Sequence, residues 1–358
     1  MAVKKKRLLT AIALLVVASN VEQSVQLKSN HPLHSAVDRI NQNGGPYIGM
    51  LMAYSTEESA LLDSGLFFPS SDLPSVDFSG RRFNIGKIRD VDVIYVMTGQ
   101  QTLNAGITVQ MLVGAFDVKG IVFYGTAGSA NDSLNIGDVS VPKYVAYTAS
   151  WKWKEFRSEK GGLAELEFGA YNFPTKGDNL FAKVEFTPQE VYSNGQPMEE
   201  LFWLEVEPKW FVLASQLQII LVLKCWRQLV QNMELLQCVN ETHCLPEMPK
   251  VVYGLRASTA DIFLDNAAYR KFLFDEFNVS TVDEESSAIV MASLTNGVPC
   301  IVFRGVSDLA GAGPEKFRSS SLSSLASANA FSVAVEFLGL IGPADQTQDH
   351  WNLKLQQQ

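Results

Sequence analysis

The fold of this 358-residue chain is decided by residues Val91–Gly128, VDVIYVMTGQQTLNAGITVQMLVGAFDVKGIVFYGTAG. The stretch contains two mostly apolar runs, VDVIYVM and GIVFY, on either side of a segment whose apolar residues recur at helical spacing. Two strands joined through a helix lie parallel in one sheet. A near-continuous apolar strand is typical of a parallel sheet that helices cover on both faces.

The same alternation extends in both directions along the chain. PYIGMLMAYS (46–55) predicts a buried strand that leads into a helix, and KVVYGL (250–255) and CIVFRGVSD (300–308) predict later strands. Helices are predicted near Asn266–Phe277 and Ser321–Leu340. The sequence therefore predicts a single α/β domain over residues 45–342, with a mixed, mainly parallel central sheet flanked by helices. Residues 149–249 lack the alternation and are predicted to be an elaborated insertion on that sheet.

Composition and charge narrow the range of functions. The chain is 47% hydrophobic and 19% charged, which is normal for a protein with a folded core. Its formal net charge is −9, and no basic stripe follows the N-terminus. A nucleic-acid backbone is therefore excluded as the main partner, because binding it requires clustered positive charge.

The N-terminus has the pattern of a targeting segment. The basic residues KKKR (Lys4–Arg7) precede the short apolar run LLTAIALLVVAS (Leu8–Ser19). This order predicts a cleaved signal peptide over residues 1–19 and a location in the secretory pathway. A membrane anchor is the alternative, but the run is shorter than the roughly 20 residues that a span needs. A polar leader (20–44) and a polar C-terminal tail (343–358) are predicted to flank the domain, and no other segment is predicted to cross a membrane.

The cysteines are interpreted in the light of secretion. Cys238 and Cys244 bracket VNETH, and an oxidising compartment favours a disulfide between them. Zinc is a weaker alternative, because the sequence has no second ligand pair at the required spacing. Cys300 lies in an apolar strand and is predicted to be a buried thiol, whereas Cys225 remains unexplained. Three sequons predict glycosylation, at Asn131, Asn240 and Asn278.

Three motifs lie at or near predicted strand ends, where ligands bind in sheets of this class. They are GTAGSANDSLNIGDVSVP (125–142), VDEESSA (282–288) and FRGVSDLAG (303–311). In this order and at these separations they resemble the nucleoside phosphorylase and nucleosidase superfamily. LNAGIT, CVNETHCLP and DNAAYRKFL are most similar to its plant branch, which contains bark storage proteins and cytokinin riboside phosphorylases. Relative to that branch, the chain interposes Ile219–Gln231, either an insertion or a retained non-coding segment.

The resemblance implies that Glu285 accepts hydrogen bonds from the 2′- and 3′-hydroxyls of ribose, with Thr98 also at the ribose. One carboxylate offers two oxygens, which match a vicinal diol. From the residues alone, Asp283–Glu285 could equally open the helix that follows, where acids favour the helix dipole. Glu284 departs from the family, which usually has methionine at this position.

At the base, the resemblance implies that Asp308 protonates purine N7 as the glycosidic bond breaks. A purine anion is a poor leaving group, and a carboxylic acid can donate the proton that makes the purine neutral. A cap on the glycine-rich turn is the alternative for Asp308. Phe263 would stack on the base, although a core aromatic is equally consistent with its sequence context. Ala127 and Gly128 would also line the base site.

Two neighbouring glutamates are candidates for the carboxylate that activates the attacking water. AYSTEESALL (53–62) resembles a nucleosidase segment with one additional residue. Counting back from the leucines places Glu58 as the carboxylate that activates water, whereas counting forward selects Glu57. An acid-rich first turn of a helix explains both residues without chemistry. Gly99 and Thr126 match positions that hold phosphate or the nucleophile.

Phosphorolysis would need a cation for the phosphate dianion. Phe123 stands where bacterial hexameric purine phosphorylases have an arginine, which favours hydrolysis.

The implied function is cleavage of the N-glycosidic bond of purine ribosides, with cytokinin ribosides as candidate substrates, by hydrolysis or phosphorolysis. The alternative is a vegetative storage glycoprotein with a relaxed nucleoside site. No metal or organic cofactor is predicted, phosphate is a possible co-substrate, and the family resemblance implies a homo-oligomer.

Overall fold

The computed structural model describes residues 30–167, 182–193, 195–217, 235–240, 243–311 and 320–342. The predicted signal peptide (1–19), the interposed segment Ile219–Gln231 with Cys225, and the predicted tail (343–358) lie outside these residues.

In chain order, the helices and strands are α1 (His34–Asn43), β1 (Tyr47–Met52), α2 (Ser55–Ser64), β2 (Phe68–Pro69), β3 (Ser75–Phe78), β4 (Arg81–Ile88), β5 (Val91–Met97), α3 (Thr102–Ala115), β6 (Val118–Ser129), β7 (Val139–Tyr147), β8 (Trp151–Lys154), β9 (Glu165–Glu167), β10 (Lys183–Phe186), β11 (Gln189–Val191), β12 (Glu199–Leu201), β13 (Leu204–Glu205), α4 (Pro208–Ser215), β14 (Cys238–Asn240), β15 (His243–Cys244), β16 (Val251–Thr259), α5 (Ala267–Phe277), β17 (Val279–Asp283), α6 (Ser286–Asn296), β18 (Cys300–Leu309) and α7 (Ser320–Ile341).

An 11-stranded mixed sheet forms the centre of the domain. Strand β1 lies parallel to β5 and β6, β16 lies parallel to β7 and β17, and β18 lies parallel to β6. Strands β2, β3 and β4 add antiparallel pairs at one edge, and β17 and β18 make antiparallel contacts with β6 and β7. The predicted α/β domain with a mixed sheet is confirmed, but the sheet is more evenly mixed than predicted because short turns join the edge strands.

Strand β6 has three partners, β1, β17 and β18. Because β17 pairs with β16, β16 with β7, and β7 with β18, the sheet closes into a ring on one side of β6. The register places Val282 and Asp308 on opposite sides of Gly128. The ring therefore brings the ends of β6, β17 and β18 together.

Helices cover both faces of the sheet. Helices α3 and α6 pack against each other on one face, where Leu112 and Ile289 are fully buried. Helix α7 packs on β6 and β18, with Phe331 and Phe337 in the core. Within α7, residues Leu322–Ile341 are apolar and long enough to span a membrane by length and composition, which the sequence analysis did not predict. However, 67% of that apolar window is buried inside the fold.

The predicted leader and the insertion both contribute buried residues to the fold. Val37 and Ile40 of α1 are buried, so this part of the predicted leader is structured. In the insertion, β8, β10 and β9 form a three-stranded sheet, and β13 joins the central sheet beside β7. Phe186 of β10 stacks within 5.7 Å of Phe272 and packs edge-on against Phe277, which attaches the insertion to α5.

The cysteine predictions are confirmed for the residues that the structure describes. A disulfide joins Cys238 to Cys244 across the β14–β15 hairpin. Cys300 is a buried free thiol, and burial raises its pKa to about 12.

The sequons at Asn131 and Asn278 lie side by side, but the Asn131 side chain is engaged in hydrogen bonds whereas Asn278 is exposed. The Asn131 amide donates to Ser280 Oγ at 3.3 Å and accepts from the Ser133 backbone at 2.9 Å. Asn278 is exposed and ends α5 in the left-handed conformation. Glycosylation at Asn131, Asn240 and Asn278 stays a prediction.

Gly305 marks the closest approach of α7 to β18. A Cβ atom there would lie 2.1 Å from the Ala326 carbonyl oxygen, which belongs to the backbone of α7. We expect Gly305→Ala to lower the free energy of unfolding by about 1–3 kcal/mol through overpacking. Gly106→Ala in α3 is the control, because its Cβ would meet nothing within 4 Å and should stabilise the helix by about 1 kcal/mol. Urea unfolding followed by tryptophan fluorescence measures both, and a neutral Gly305→Ala would contradict this packing.

Candidate active site

A cavity of about 440 Å³ opens where β6, β17 and β18 end. Five acidic residues contribute to its wall, together with apolar and hydroxyl side chains from several elements: Tyr54, Glu57, Gln100, Thr126, Ala127, Gly128, Ile262, Phe263, Leu264, Val282, Asp283, Glu284, Glu285, Ser307, Asp308, Ala310 and Ser323. The fold thus brings Glu285 and Asp308 to one cavity, as the strand ends predicted.

Arg304 lies under this cavity in β18 and is completely buried. Its Nε donates to Asp283 Oδ2 at 2.9 Å, and its Nη2 donates to Glu285 Oε2 at 2.8 Å. The guanidinium carbon lies 4.2 Å from the centroid of the Phe123 ring. Nη1 finds no hydrogen-bond partner among the described residues. Arg304 was not singled out from the sequence, although a charged residue inside the apolar run CIVFRGV must have a buried partner.

Asp283 holds Arg304 in place and begins helix α6. Its Oδ1 accepts from Thr259 Oγ1 at 2.7 Å and from the backbone N–H of Ser286 at 3.0 Å. Burial opposes ionisation of this carboxyl, but attraction to Arg304 and the surrounding donors outweigh it, so its pKa is lowered. Asp283 is therefore an ionised partner for the guanidinium.

Glu285 lies beside this ion pair with one oxygen toward the cavity wall. Its Oε1 accepts from the backbone N–H of Gln101 at 3.2 Å, and Gln101 has a positive φ of 78° just before α3. Burial is the main reason that the pKa of Glu285 is raised to about 7, and the nearby Asp283 and Glu57 charges add to it while Arg304 opposes it. Glu285 can therefore change protonation near neutral pH.

Glu57, rather than Glu58, is the carboxylate that reaches the cavity. Its Oε2 accepts from the Ala53 N–H at 2.7 Å, and its Oε1 accepts from the Thr126 N–H at 2.6 Å. Glu57 is 1% exposed, and burial raises its pKa despite the Arg304 charge. The expectation for Glu58 is corrected because α2 begins at Ser55, so that position 57 and not 58 faces the sheet.

Tyr54 and Thr126 complete the surroundings of Glu57. Tyr54 Oη lies 2.8 Å from Thr126 Oγ1, and Thr126 Oγ1 donates to Glu57 Oε1 at 3.2 Å. Thr126, predicted to hold phosphate or the nucleophile, therefore lies at the cavity and orients Glu57. Tyr54 was not singled out from the sequence, because one tyrosine at a strand end carries no pattern of its own.

Asp308 lies at the other side of the cavity with the predicted base-binding residues. Ser307 Oγ donates to Asp308 Oδ1 at 2.7 Å, and Ala127 and Gly128 line the wall next to it. Phe263 also lines the cavity and is 71% exposed, which excludes the alternative that it is a core aromatic.

Two predicted residues do not reach the cavity wall. Thr98 is fully buried, and its Oγ1 donates to the carbonyl oxygens of Gly99 at 2.7 Å and Met52 at 3.3 Å. Gly99 has a positive φ of 80° and turns the chain after β5. The expectation that Thr98 and Gly99 bind ribose and phosphate is corrected, since they brace the ends of β1 and β5 instead.

The Asp and Glu side chains of the cavity wall have no basic counterpart within it. None of its described lining residues is Lys or Arg, and the guanidinium of Arg304 below it is already paired with two carboxylates. Across the described ranges, no group of three or more His, Cys, Asp and Glu residues is arranged to hold a metal ion.

Removing Arg304 should lower the stability of the protein. Arg304→Met would leave Asp283 and Glu285 buried without their cation, and we expect a loss of about 3–5 kcal/mol in the free energy of unfolding. Arg82→Met is the control, because Arg82 pairs with Asp77 on the surface and should contribute little. Urea unfolding of both variants tests this, and an Arg304→Met protein as stable as Arg82→Met would refute the role of the ion pairs.

Comparison with known proteins gives close relatives and more distant structural neighbours. Bark storage protein A of Populus deltoides is 38% identical over 295 residues, which cover 82% of this chain and 88% of that protein. Bark storage protein B of the same organism is 37% identical over 322 residues, with coverages of 89% and 97%.

Among solved structures, the chain is similar in fold to a 5′-methylthioadenosine/S-adenosylhomocysteine nucleosidase of Colwellia psychrerythraea in complex with adenine, with a TM-score of 0.55 and 21% identity over 82% of this chain and 95% of that one. It is also similar to futalosine hydrolase of Helicobacter pylori, with a TM-score of 0.53 and 20% identity over 82% of this chain and 96% of that one. The family model of the phosphorylase superfamily matches residues 47–338, almost the whole of the described domain. This chain belongs to the phosphorylase superfamily.

Proposed function

We propose that the cavity hydrolyses the N-glycosidic bond of purine ribosides. The observation that carries this proposal is the convergence of Glu57, Glu285 and Asp308 on one cavity from three different elements, each with its own hydrogen-bond donors. Cleavage of this bond needs three groups: one that binds the sugar, one that donates a proton to the leaving purine, and a general base that activates water. The three carboxylates can supply them.

Glu285 would bind the ribose. Its ionised carboxylate could accept hydrogen bonds from the two vicinal hydroxyls, while Arg304 and the Gln101 N–H fix its orientation. We refer to the part of the cavity formed by Asp283, Glu284 and Glu285 as the sugar end.

Asp308 would protonate the purine at N7 as the bond to the sugar breaks. Ser307 Oγ holds one carboxyl oxygen, which leaves the other to donate a proton from the acid form. Phe263, exposed at the same cavity, would cover the face of the base. The neutral purine then leaves with the proton from Asp308.

Glu57 would take a proton from water as the water oxygen attacks the anomeric carbon. Burial raises its pKa, which makes this carboxylate a better proton acceptor than an exposed glutamate. The products are free ribose and purine, and the proton accepted by Glu57 balances the proton given by Asp308.

Electrostatics favours water over phosphate as the attacking group. A phosphate dianion would enter a cavity with five acidic lining residues and no described lining cation. Arg304 is committed to Asp283 and Glu285. Phe123 stands where the resemblance places an arginine in bacterial hexameric purine phosphorylases, and its ring lies against Arg304. Like charges at short range repel strongly where water is excluded. Phosphorolysis remains the competing outcome of the test below.

A second cavity of about 330 Å³ supports an adenine that carries a substituent on its 6-amino group, as in cytokinin ribosides. Asp308 lines both cavities. The wall of the second contains the apolar residues Leu134, Ile136, Leu245, Pro246, Val306 and Leu309 and the polar residues Ser129, Asp132, Asn135, Glu247 and Arg270. The 6-position and N7 lie on the same edge of a purine, so a group attached there would point past Asp308.

Storage is a second candidate function, because relatives at 38% and 37% identity are bark storage proteins. In that case the domain would serve as a nitrogen reserve and the cavity would not turn over substrate. The secretory location, glycosylation and a homo-oligomer remain predictions that either function allows.

The first test identifies the sugar released from adenosine with and without phosphate. We expect free ribose in both conditions, and Glu57→Gln should lower kcat by roughly 10²–10⁴-fold, the usual contribution of a general base. Glu58→Gln is the matched control and should stay within about 2-fold of the wild type, because Glu58 does not line the cavity. Ribose 1-phosphate would show phosphorolysis, and the absence of any released sugar would favour storage.

The second test compares adenosine with N6-isopentenyladenosine. If the second cavity holds the substituent, Ile136→Trp should reduce kcat/KM for the substituted riboside by about 10-fold or more, which corresponds to about 1.4 kcal/mol. The value for adenosine should change little, because it leaves that cavity empty. An equal loss for both substrates would contradict this placement of the substituent.

A further inference from the structure

Glu284 is an acidic lining residue that the steps above leave without a role. It follows Asp283 at the end of β17 and precedes Glu285, so it lies at the sugar end. Its side chain is half-buried, and it departs from the methionine that the family resemblance predicts there.

Glu284 differs from the other acidic lining residues because its carboxylate has no hydrogen-bond donor among the described residues. Each of the other four lining carboxylates accepts a hydrogen bond from a described residue, namely Glu57 from Ala53, Asp283 from Arg304, Glu285 from Arg304, and Asp308 from Ser307. No described residue donates a hydrogen bond to the carboxylate of Glu284 or forms an ion pair with it.

The nearest charges have the same sign as Glu284. Its pKa is raised first by burial and then by the negative charges of Asp261 and Asp283. Asp261 itself is satisfied by the backbone N–H and the hydroxyl of Thr102, both at 2.8 Å. Glu284 thus adds a negative charge to the cavity surface that no described residue pairs with.

We propose that Glu284 is a specificity-determining residue that makes the sugar end favour a ribose ring carrying positive charge over a neutral one. This inference rests on the proposed function, in which the ring becomes electron-deficient as the bond to the base breaks. A fixed negative charge that faces the ring binds this cation-like state more tightly than the neutral riboside, and such differential binding accelerates the reaction. The same charge disfavours ribosides with an anionic group on the sugar.

The test measures binding of two non-hydrolysable probes by isothermal titration calorimetry. One is an adenine-like C-riboside with a neutral furanose ring, and the other is its iminoribitol counterpart, whose ring nitrogen is protonated. Glu284→Gln should weaken the cationic probe by about 10-fold and leave the neutral probe within about 2-fold, because only the charge is removed. Glu58→Gln removes the same charge outside the cavity and should change neither affinity.

The outcomes separate this inference from the function on which it rests. If both probes bind the wild type and Glu284→Gln leaves the ratio of their affinities unchanged, the role of Glu284 is refuted while nucleoside binding stands. If neither probe binds the wild type, both proposals fail. The Glu284→Gln protein should fold with at least wild-type thermal stability, since the change relieves repulsion, and a clear loss would show that Glu284 has a stabilising partner.

Discussion

The structure depends on one buried guanidinium. Arg304 is fully enclosed, and charges are tolerated in that position only when they are paired and hydrogen-bonded. Its partners, Asp283 and Glu285, come from β17 and the turn after it, whereas Arg304 belongs to β18. These two strands lie on either side of β6. The ion pairs therefore tie the two sides of the ring together where the cavity opens, and the requirement to pair Arg304 also fixes where Glu285 points.

One cation cannot neutralise all the acids that surround it. Arg304 interacts with Asp283, Glu285 and Glu57, and the three carboxyls respond differently. Asp283 has the most donors and keeps a lowered pKa, whereas burial raises the pKa of Glu285 and of Glu57. The site thus contains one acid, Asp283, whose pKa is lowered and which positions the guanidinium, and two acids, Glu285 and Glu57, whose pKa is raised. Burial raises the pKa of all three carboxyls, and only at Asp283 do the Arg304 charge and the hydrogen-bond donors outweigh it.

Much of the fold could be predicted from hydrophobic periodicity, because the core strands are apolar along their whole length. VDVIYVM and GIVFY became β5 and β6 with the predicted helix between them. The β3–β4 hairpin was missed, although Ser79 and Gly80 have positive φ angles that suit a tight turn, since its strands alternate only weakly.

The site was harder to predict, because residue spacing does not determine which way a side chain faces. Glu57 and Glu58 are neighbours in sequence, and only the residue at which α2 begins decides which one turns inward. Exposure of Phe263 at the cavity likewise depends on a loop whose path the sequence does not encode in any pattern. Phe123 and Glu284 differ from the family pattern, and in the structure both make the cavity less favourable for an anion. Phe123 offers its ring face to Arg304 and supplies no cation, and Glu284 adds a charge that no described donor compensates. In the proposed hydrolysis, the two departures together disfavour an anionic attacking group and favour positive charge on the sugar.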